Sequence, residues 1–346
     1  MKKKRVGIVG YGVIGKRRRQ YIDAHPFLET VAISDTNLES GQNEVGGVSA
    51  YHNHTDLLNL DIDAVFISVP NYVAPEITIA SLEKGIHVFC EKPPGRSVED
   101  IESVIEVEKA HPEAVLKYGF NHRYHDSVEK ALSIIESGDL GEIINMEGTY
   151  GKSKIVNPQL STWRSNRTQA GGGILLDQGI HMLDLLRLFC GEFYDVKSFV
   201  TNDFWKHDVE ENVFAIMKDT QGRIASVHSS ATLWEHMFSL NIYLTKGYIR
   251  LSGLLTSSRS YGEETLVIGK RSDSEHGVLE WNTIKSLEDS SWKKEIDEFA
   301  KAIVENTPIR FGKSDDALKT MQLVYRIYYA DLPWREKYHI PNPDKT

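Results

Sequence analysis

Three polar residues recur at helical spacing within a mostly apolar stretch of the chain, GGGILLDQGIHMLDLLRLF, residues 171 to 189. Asp177, His181 and Asp184 stand four and then three residues apart, so that a helix would place them on one face. The other positions are largely Leu, Ile, Met and Phe, which predicts a buried helix, and buried carboxylates and imidazoles are costly unless paired or used. His181 is suited to moving a proton near neutral pH, and Asp177 to orienting that imidazole or binding a substrate hydroxyl. The alternative is a buried Asp and His that satisfy each other in the core.

A single lysine is placed where a substrate could meet it. Lys92 belongs to Glu91-Lys92-Pro93-Pro94, directly after the apolar run His87 to Cys90, which we predict to be a buried strand. Ligands of open α/β sheets bind beyond the carboxyl ends of the strands. A lysine at that position can hydrogen-bond a substrate hydroxyl and stabilise the negative charge as the oxygen loses its proton. An ordinary surface turn is the alternative for a Lys-Pro pair at a strand end.

Three glycines near the start of the chain have the spacing of a phosphate-binding turn. Gly10, Gly12 and Gly15 form G-x-G-x-x-G in VGIVGYGVIG, behind a strand-like run and before a helix-compatible one. We expect Gly10 to permit the tight turn, Gly12 to let the backbone approach a pyrophosphate, and Gly15 to let helix and strand pack closely. The N-terminus of the following helix would face the phosphates with its unpaired N–H groups. The pattern predicts a bound dinucleotide, and the alternative is a glycine-rich turn that binds nothing.

An acidic residue beyond these glycines indicates which dinucleotide binds. Asp35 lies at the end of a second apolar run, Val31 to Ser34. Its carboxylate can accept hydrogen bonds from ribose hydroxyls and would repel a 2′-phosphate, which favours NAD over NADP. The basic run Lys16 to Arg19 could offset that preference, and we interpret it as a solvated helix face.

The first third of the chain alternates short apolar runs with helical patterns. We predict further strands at Ala64 to Val69 and Val115 to Phe120. The predicted helices are Lys16 to Ala24, Thr55 to Asn59 with Thr55 as its N-cap, Ala74 to Lys84, and Val98 to Ala110 behind Ser97. This alternation is typical of a doubly wound parallel sheet, and we predict such a domain over residues 1–120.

The remainder, residues 121–346, has a different pattern. Apolar runs joined by Gly and polar turns follow one another with few helices between them, which predicts a largely antiparallel sheet. The predicted strands are Ile143 to Tyr150, Val196 to Thr201, Val213 to Met217, Ile224 to Ser230, Ser239 to Thr245 and Gly247 to Leu251. One long helix, Ile174 to Cys190, interrupts them, and two helices, Trp292 to Glu305 and Ser314 to Ala330, close the chain. The predicted fold class is α/β, with a doubly wound domain followed by an α+β domain.

Composition limits the classes of partner. The 346 residues suffice for two domains, and 40 Lys and Arg against 49 Asp and Glu give a net charge of −9, which disfavours a nucleic acid partner. No apolar run is long enough to span a bilayer, and no export signal is convincing. Cys90 and Cys190 are too few for a disulfide framework and lack metal-ligand spacing, so we expect no metal site. These features predict a cytoplasmic enzyme without a membrane partner.

Four motifs in this order, GYGVIG, EKPP, GFNHRYH at 119 to 125 and GGGILLDQGIHMLD, resemble those of the Gfo/Idh/MocA oxidoreductases. The resemblance covers nearly the whole chain. It implies a Rossmann domain followed by a domain with an open, mostly antiparallel sheet, through which members usually assemble, so we expect a homodimer or homotetramer. It also implies that Lys92, Asp177 and His181 correspond to the catalytic Lys, Asp and His of the family. His122 stands where many members carry Arg.

The resemblance extends the predicted site to further residues. Trp163-Arg164 resembles the W-R pair that often precedes the glycines, and we assign Arg164, Trp163 and Tyr124 to substrate contacts. The cofactor contacts that we assign, besides the glycines, Asp35 and Lys92, are Val13, Ile14, Pro70, Asn71, Glu91 and Asn121. If the substrate is a nucleotide-linked sugar, Arg164 and the basic Lys152 and Lys154 would suit its diphosphate.

The predicted function is an NAD-dependent dehydrogenase of a sugar or polyol. His181 would take the hydroxyl proton, Lys92 would stabilise the developing alkoxide and Asp177 would orient, while the carbon passes a hydride to nicotinamide C4. Two alternatives stay open. One is a glycosidase that oxidises its substrate transiently and regenerates NAD, and the other is a non-catalytic NAD-sensing regulator on the same fold.

Overall fold

The chain divides into two compact units in the computed structural model, which describes residues 2–39, 42–153, 162–256, 259–272 and 279–344. The first unit comprises Met1–Asn121 and Trp292–Leu318, and the second comprises His122–Ser291 and Lys319–Thr346. The structure differs from the predicted division in one segment, because residues 292–318 belong to the first unit rather than to a continuous second domain.

The described residues form strands and helices that we number in chain order. The strands are β1 Lys4–Val9, β2 Leu28–Ser34, β3 Glu44–Val45, β4 Val48–Tyr51, β5 Ala64–Ile67, β6 His87–Glu91, β7 Leu116–Gly119, β8 Ile143–Gly151, β9 Phe193–Thr201, β10 Asn212–Asp219, β11 Ile224–Ser230, β12 Met237–Leu244, β13 Gly247–Ser252, β14 Thr265–Arg271 and β15 Leu279–Lys285. The α-helices are α1 Val13–Ala24, α2 His54–Leu58, α3 Ala74–Leu82, α4 Val98–Ala110, α5 Asp126–Ser137, α6 Arg167–Ala170, α7 Ile180–Cys190, α8 Ser291–Glu305, α9 Ser314–Ala330 and α10 Leu332–Tyr338. Short 3₁₀ turns span Asn121–Tyr124 and Thr162–Ser165, and a π turn spans Leu175–Gly179.

The first unit contains a seven-stranded sheet in the order β3-β4-β2-β1-β5-β6-β7. Neighbouring strands are parallel except for β3 and β4, so the predicted doubly wound parallel sheet is confirmed. The chain moves outward from β1 in one direction through β2 and then resumes on the other side with β5. The strand order therefore reverses between β1 and β5, and open α/β sheets bind their ligands at such a point.

Helix α8 explains why a late segment of the chain joins the first unit. The rings of Phe66 on β5 and Phe89 on β6 stack with centroids 4.7 Å apart, and the Phe299 ring of α8 meets them edge-on at 5.4 and 5.6 Å. All three rings are completely buried. Aromatic contacts of this kind each add about 0.5–1.5 kcal/mol beyond the burial of apolar area. The apolar stripe of α8 thus completes the core of the parallel sheet.

The second unit contains an eight-stranded sheet in the order β15-β14-β13-β12-β8-β11-β10-β9. Every neighbouring pair is antiparallel except β8 and β11, which confirms the predicted mostly antiparallel sheet. Helix α7 packs closely on it, because a Cβ at Gly148 of β8 would lie 2.6 Å from the sulfur of Met182. Strand β14 and the edge strand β15 are additional to the strands that the sequence predicts.

Several predicted helix boundaries need correction. Helix α1 begins at Val13 rather than Lys16, and α2 begins at His54, where the Asn53 side chain, not Thr55, accepts the capping hydrogen bond. Ser97 is the N-cap of α4, as predicted. The single helix predicted over 174–190 is a π turn followed by α7. This last difference bears on the site, because π turns inside helices occur frequently at functional positions.

Candidate active site

The three glycines after β1 occupy three different environments. Gly10 has a φ of +86°, and a Cβ on it would lie 2.3 Å from the carbonyl oxygen of Ser68. A Cβ on Gly15 would lie 2.0 Å from the carbonyl oxygen of Gly10, so this residue permits the close contact between turn and helix. A Cβ on Gly12 would meet no described atom within 4 Å. Backbone at Gly12 is therefore open to a ligand, while the other two glycines are required by the turn itself.

Asp35 lies beside this turn, directly after β2. One of its carboxylate oxygens accepts a hydrogen bond of 2.7 Å from the backbone N–H of Tyr11, inside the glycine turn. The other accepts one of 2.8 Å from the N–H of Asn37. Nδ2 of Asn37 donates to that second oxygen as well, at 3.0 Å. The oxygen that is bonded to Tyr11 keeps a second lone pair, so the group can still accept a hydrogen bond from a ligand. Beyond Gly12, Val13 is exposed and Ile14 is half-buried at the start of α1.

The interpretation of Lys16 to Arg19 as a solvated helix face is wrong for Arg18, which is completely buried. Its guanidinium lies 2.6 Å from a carboxylate oxygen of Glu91 and 2.7 Å from one of Glu295. Burial alone would lower the pKa of Arg18, but the two carboxylates outweigh it and raise that pKa. Burial raises the pKa of Glu295 to about 7 in spite of the neighbouring guanidinium. Arg18 therefore holds Glu91, the residue before Lys92, instead of meeting solvent.

Arg19 is also engaged within the first unit. Its guanidinium donates to the hydroxyl of Tyr11 at 2.9 Å and to the carbonyl oxygen of Gly46 at 2.7 Å. The guanidinium of Arg17 lies 4.8 Å from the ring centroid of Trp292. These contacts commit the side chains of Arg17 and Arg19 to the protein.

The other predicted cofactor residues follow strands β5, β6 and β7. Pro70 and Asn71 follow β5, Glu91 and Lys92 end and follow β6, and Asn121 follows β7. Because these strands are parallel to β1, the residues lie at the same edge of the sheet as the glycine turn. Asn71 and Asn121 are buried, Lys92 is half-buried, and the Lys92–Pro93 peptide is cis.

The glycine turn fits a dinucleotide. Helix α1 begins after Gly12, and among the described residues no side chain caps its first turn, which leaves backbone N–H groups and the positive end of the helix dipole for an anion. The open space at the Gly12 Cβ position lies on the same turn. A pyrophosphate needs both a helix N-terminus and close access to the backbone, and this segment offers both.

In the second unit, Glu210 anchors the π turn that carries Asp177. The buried Glu210 carboxylate accepts hydrogen bonds from the N–H groups of Gly173 at 2.7 Å and Leu175 at 3.0 Å, and from the Tyr328 hydroxyl at 2.6 Å. A Cβ at Gly173 would lie 2.0 Å from the Glu210 carbonyl oxygen. Gly173 therefore permits a close backbone approach, and the approaching group is the chain around Glu210.

Three cationic or amide groups surround Asp177. Its carboxylate oxygens lie 3.5 Å from Nζ of Lys152, 3.9 Å from Nε of Arg164 and 2.9 Å from Nε2 of Gln178. The Arg164 guanidinium in turn lies 4.3 Å from the ring centroid of Trp163. The structure thus brings together Asp177 and two of the residues assigned to substrate contacts. Lys154 lies outside the described residues.

His181, in the first turn of α7, packs on aromatic groups. Its ring stacks on that of His122 with centroids 3.6 Å apart, and Nε2 of His122 lies 3.1 Å from the hydroxyl of Tyr150. Burial, with the proximity of Tyr261 and the charge of Asp177, raises the pKa of Tyr150 well above its usual value. Tyr150 and Tyr261 have their rings 5.3 Å apart. Sequence reasoning missed both tyrosines, since Tyr150 has the alternation of an ordinary strand residue and Tyr261 lies in a loop.

Asp184, the third member of the polar helix face, has a structural partner. The Arg123 guanidinium contacts both of its carboxylate oxygens, at 2.7 and 2.5 Å, and both side chains are buried. Thr320 contacts the same carboxylate. Tyr124, assigned to a substrate contact, is buried next to Arg123 in the chain. Asp184 is therefore occupied by an ion pair, whereas Asp177 remains about one-quarter exposed.

A metal site finds no support in the described ranges, where no three His, Cys, Asp or Glu side chains are grouped as a metal ion would require. Cys90 and Cys190 are buried free thiols, and burial raises the pKa of the first to about 12 and of the second to about 11. Among the described helices, none combines the length and apolar character needed to cross a membrane.

A parallel sheet with this glycine turn, in one chain with a mostly antiparallel sheet, is the arrangement of a two-domain dinucleotide-binding protein. Residues 4–119 match the family profile described as an oxidoreductase family with an NAD-binding Rossmann fold, and residues 128–250 match that of the GFO/IDH/MocA C-terminal domain. The chain belongs to the Gfo/Idh/MocA family, which confirms the resemblance found in the sequence.

Individual relatives are dehydrogenases of sugars. D-glucoside 3-dehydrogenase of Escherichia coli (strain K12) is 30% identical over 261 residues, which cover 69% of this chain and 71% of that protein. Levoglucosan dehydrogenase of Pseudarthrobacter phenanthrenivorans is 30% identical over 206 residues, 56% of this chain but only about half, 53%, of that protein. A solved levoglucosan dehydrogenase in complex with NADH and L-sorbose has a TM-score of 0.83 at 23% identity, with 96% of this chain and 98% of that chain covered. That likeness shows the shared fold.

Proposed function

We propose that this protein is an NAD-dependent oxidoreductase that moves a hydride between a hydroxyl-bearing carbon of a sugar or polyol and nicotinamide. The observation that carries the proposal is a partly exposed Asp177, contacted by Lys152 and Arg164, in the π turn that leads into α7, whose first turn carries the buried imidazole of His181. A polar cluster of this kind suits a polyhydroxylated ligand. Redox chemistry is supported by the match to an oxidoreductase family.

His181, Lys92 and Asp177 each have a separate role in the proposed reaction. Bound NAD supplies the hydride acceptor. His181 accepts the proton of the substrate hydroxyl as general base. Lys92 donates a hydrogen bond to the oxygen on which negative charge develops. Asp177, held in place by Gln178, accepts a hydrogen bond from another hydroxyl and orients the substrate.

The proposed cofactor site occupies the carboxyl edge of the first sheet. The pyrophosphate would lie on the glycine turn and the first residues of α1, and Asp35 would accept hydrogen bonds from the adenine ribose. The remaining proposed contacts are Val13, Ile14, Pro70, Asn71, Glu91, Lys92 and Asn121. Their common place at one edge of a parallel sheet supports this assignment.

The finer proposal for the substrate is a sugar that carries a nucleotide. Lys152 and Arg164 would pair with its diphosphate, in exchange for part of their present interaction with Asp177. A screen of NADH formation with sugars, inositols and nucleotide sugars tests the substrate class. Turnover confined to free sugars would contradict the nucleotide-linked form. Cleavage of a glycoside without net NADH would contradict the dehydrogenase and indicate a glycosidase that regenerates NAD.

Replacement of Asp35 by Asn should weaken the preference for NAD over NADP. The change keeps the size of the side chain and removes the charge that would repel a 2′-phosphate, so the ratio of kcat/KM for NAD to that for NADP should fall by about tenfold or more, the equivalent of about 1.4 kcal/mol. Steady-state kinetics with both cofactors measure the ratio.

The matched control is Asp61→Asn, since Asp61 is an almost fully exposed aspartate of the same unit. It should leave the ratio unchanged. An Asp35→Asn variant with the wild-type cofactor ratio would show that this carboxylate does not select the cofactor.

We further propose that the protein assembles as a dimer or tetramer through the second sheet. Phe199 on β9 pairs across the strands with Phe214 on β10, and Ile216 lies two residues further along the same face. These three side chains are between 52% and 76% exposed, and Ile224 of β11 extends the patch at 47%. A contiguous apolar patch of this kind is typical of a protein interface.

The double variant Phe199→Lys, Phe214→Lys should dissociate the assembly, because it places charges in the centre of the proposed interface. Light scattering coupled to size-exclusion chromatography should give a smaller mass for the variant than for the wild type. A monomeric wild type, or a variant with the wild-type mass, would contradict this assembly.

A further inference from the structure

Two buried imidazoles face each other in the second unit. The rings of His122 and His181 are nearly parallel, with an angle of 13° between their planes and 3.6 Å between their centroids. His122 is 5% exposed and His181 is 3% exposed. The His122 ring therefore covers one face of the imidazole that the proposed function uses as its base.

The His122 ring is held by groups from other elements. Its Nε2 lies 3.1 Å from the Tyr150 hydroxyl on β8, and the edge of the ring faces Phe238 on β12, with centroids 6.1 Å apart. His125 packs against it with centroids 5.5 Å apart and is itself held by Glu264, at 2.7 Å. These contacts hold the His122 ring between groups of the second unit.

An ion pair also links the 3₁₀ turn that carries His122 to helix α7, which carries His181. Arg123 follows His122 in the 3₁₀ turn, and Asp184 follows His181 by three residues in α7, so that the pair lies next to the stack. The two-point contact of the Arg123 guanidinium with the Asp184 carboxylate has a strict geometry. It fixes the 3₁₀ turn against α7 and thereby sets the distance between the two rings.

The stack can orient His181 but cannot relay its proton. In parallel rings the N–H bonds lie in the ring planes, so neither ring directs a donor at a nitrogen of the other. The χ2 torsion of a histidine has only a broad preference, and the ring turns unless its faces are blocked. The flat ring of His122, with its centroid 3.6 Å away, blocks that rotation, so the ring nitrogens of His181 stay in one defined plane.

We propose that His122 is a positioning residue for the reaction, whose flat ring fixes the plane of the His181 imidazole for proton transfer. The inference rests on the proposed function, in which His181 is the general base. It assigns a role to the flat shape of His122 and not to its ability to bind a proton.

Two variants of His122 distinguish the effect of its flat ring from the effect of its ring nitrogens. His122→Phe keeps a flat ring without nitrogen atoms, and His122→Leu removes the flat ring but remains apolar. We expect His122→Leu to lower kcat by about 10- to 100-fold with little change in the KM for NAD, since misorientation of a reacting group affects the chemical step. His122→Phe should recover most of that loss. If His122→Leu fails to fold in a thermal melt, His122→Ala takes its place.

Three results would overturn the inference. The first is wild-type kcat in His122→Leu, and the second is a His122→Phe variant as slow as His122→Leu. The third is a loss of kcat from His122→Leu that is as large in the His181→Ala background as in the wild type. The last comparison tests whether His122 acts only through His181. Wild-type turnover of His181→Ala alone is a separate outcome. It would contradict the proposed function, whatever the His122 variants do.

Discussion

Replacement of Lys92 or His181 by Ala should lower kcat by about 10²- to 10⁴-fold. A positioned general base contributes about that factor, and a donor aimed at a developing oxyanion contributes about 10²- to 10³-fold. His181→Ala removes no proposed cofactor contact, so its dissociation constant for NADH should stay near that of the wild type. Lys92→Ala does remove one, so kcat at saturating NAD is the measure of its role. Steady-state turnover and a fluorescence titration with NADH measure the two quantities.

The control for these variants is Lys84→Ala. Lys84 is an exposed lysine of the first unit that hydrogen-bonds Asn59, and it precedes the amino end of β6 instead of following its carboxyl end. It should retain full turnover. If Lys92→Ala or His181→Ala keeps wild-type turnover on the true substrate, the assignment of that residue is wrong.

Replacement of Gly15 by Ala should destabilise the first unit and abolish NAD binding, whereas replacement of Gly12 by Ala should affect binding alone. The Cβ that Gly15→Ala introduces would lie 2.0 Å from the carbonyl oxygen of Gly10, so the turn must shift, at a cost of about 1–3 kcal/mol. The Cβ that Gly12→Ala introduces would meet no described atom within 4 Å, so the free energy of unfolding should stay within about 0.5 kcal/mol of the wild type.

The two glycine variants serve as controls for each other. Thermal melts without ligand should separate them, with a lowered Tm for Gly15→Ala only. Calorimetric titration with NAD should then show no binding by Gly15→Ala and weakened binding by Gly12→Ala, because a Cβ at Gly12 fills the space through which a pyrophosphate approaches the backbone. A Gly12→Ala variant that binds NAD as the wild type does would place the cofactor elsewhere.

The parts of the fold that depend on neighbouring residues could be predicted from the sequence. The glycine turn, the N-cap at Ser97 and the parallel sheet all follow from local spacing and short apolar runs, because turn chemistry and strand patterning are properties of a few consecutive residues. The same holds for the alternation that predicts the second sheet. Strands β14 and β15 were missed because their short runs, TLVIGKR and LEWNTIK, mix charged and apolar residues without strict alternation.

Contacts between distant residues could not be predicted in this way. Arg18 has the pattern of a solvated helix face, and only the approach of Glu91 and of Glu295, 277 residues along the chain, makes its burial stable. Helix α8 has an apolar stripe that shows it must pack, but not on which sheet. The same limit applies to His122, since a histidine in a short turn gives no sign that its ring will cover another imidazole.

The backbone at Leu175–Gly179 also differs from the expected α-helix. The pattern from Ile174 to Cys190 predicts one continuous helix, but Glu210 binds the backbone at Gly173 and Leu175, and a π turn forms there. Periodicity averages over a whole helix, so it does not reveal one turn in which hydrogen bonds span five residues instead of four. Asp177, which lies in that turn, therefore has surroundings that only the structure describes.

The most direct test of hydride transfer to NAD is to follow a deuterium label from the substrate to the cofactor. With a responsive sugar deuterated at the carbon that is oxidised, the label should pass as deuteride to nicotinamide C4. Mass spectrometry should then show one deuterium atom in the reduced cofactor, in an amount equal to the oxidised product. His181→Ala should form the same labelled product at a rate about 10²- to 10⁴-fold lower. Consumption of the sugar without labelled reduced cofactor would contradict hydride transfer to NAD as the function of this protein.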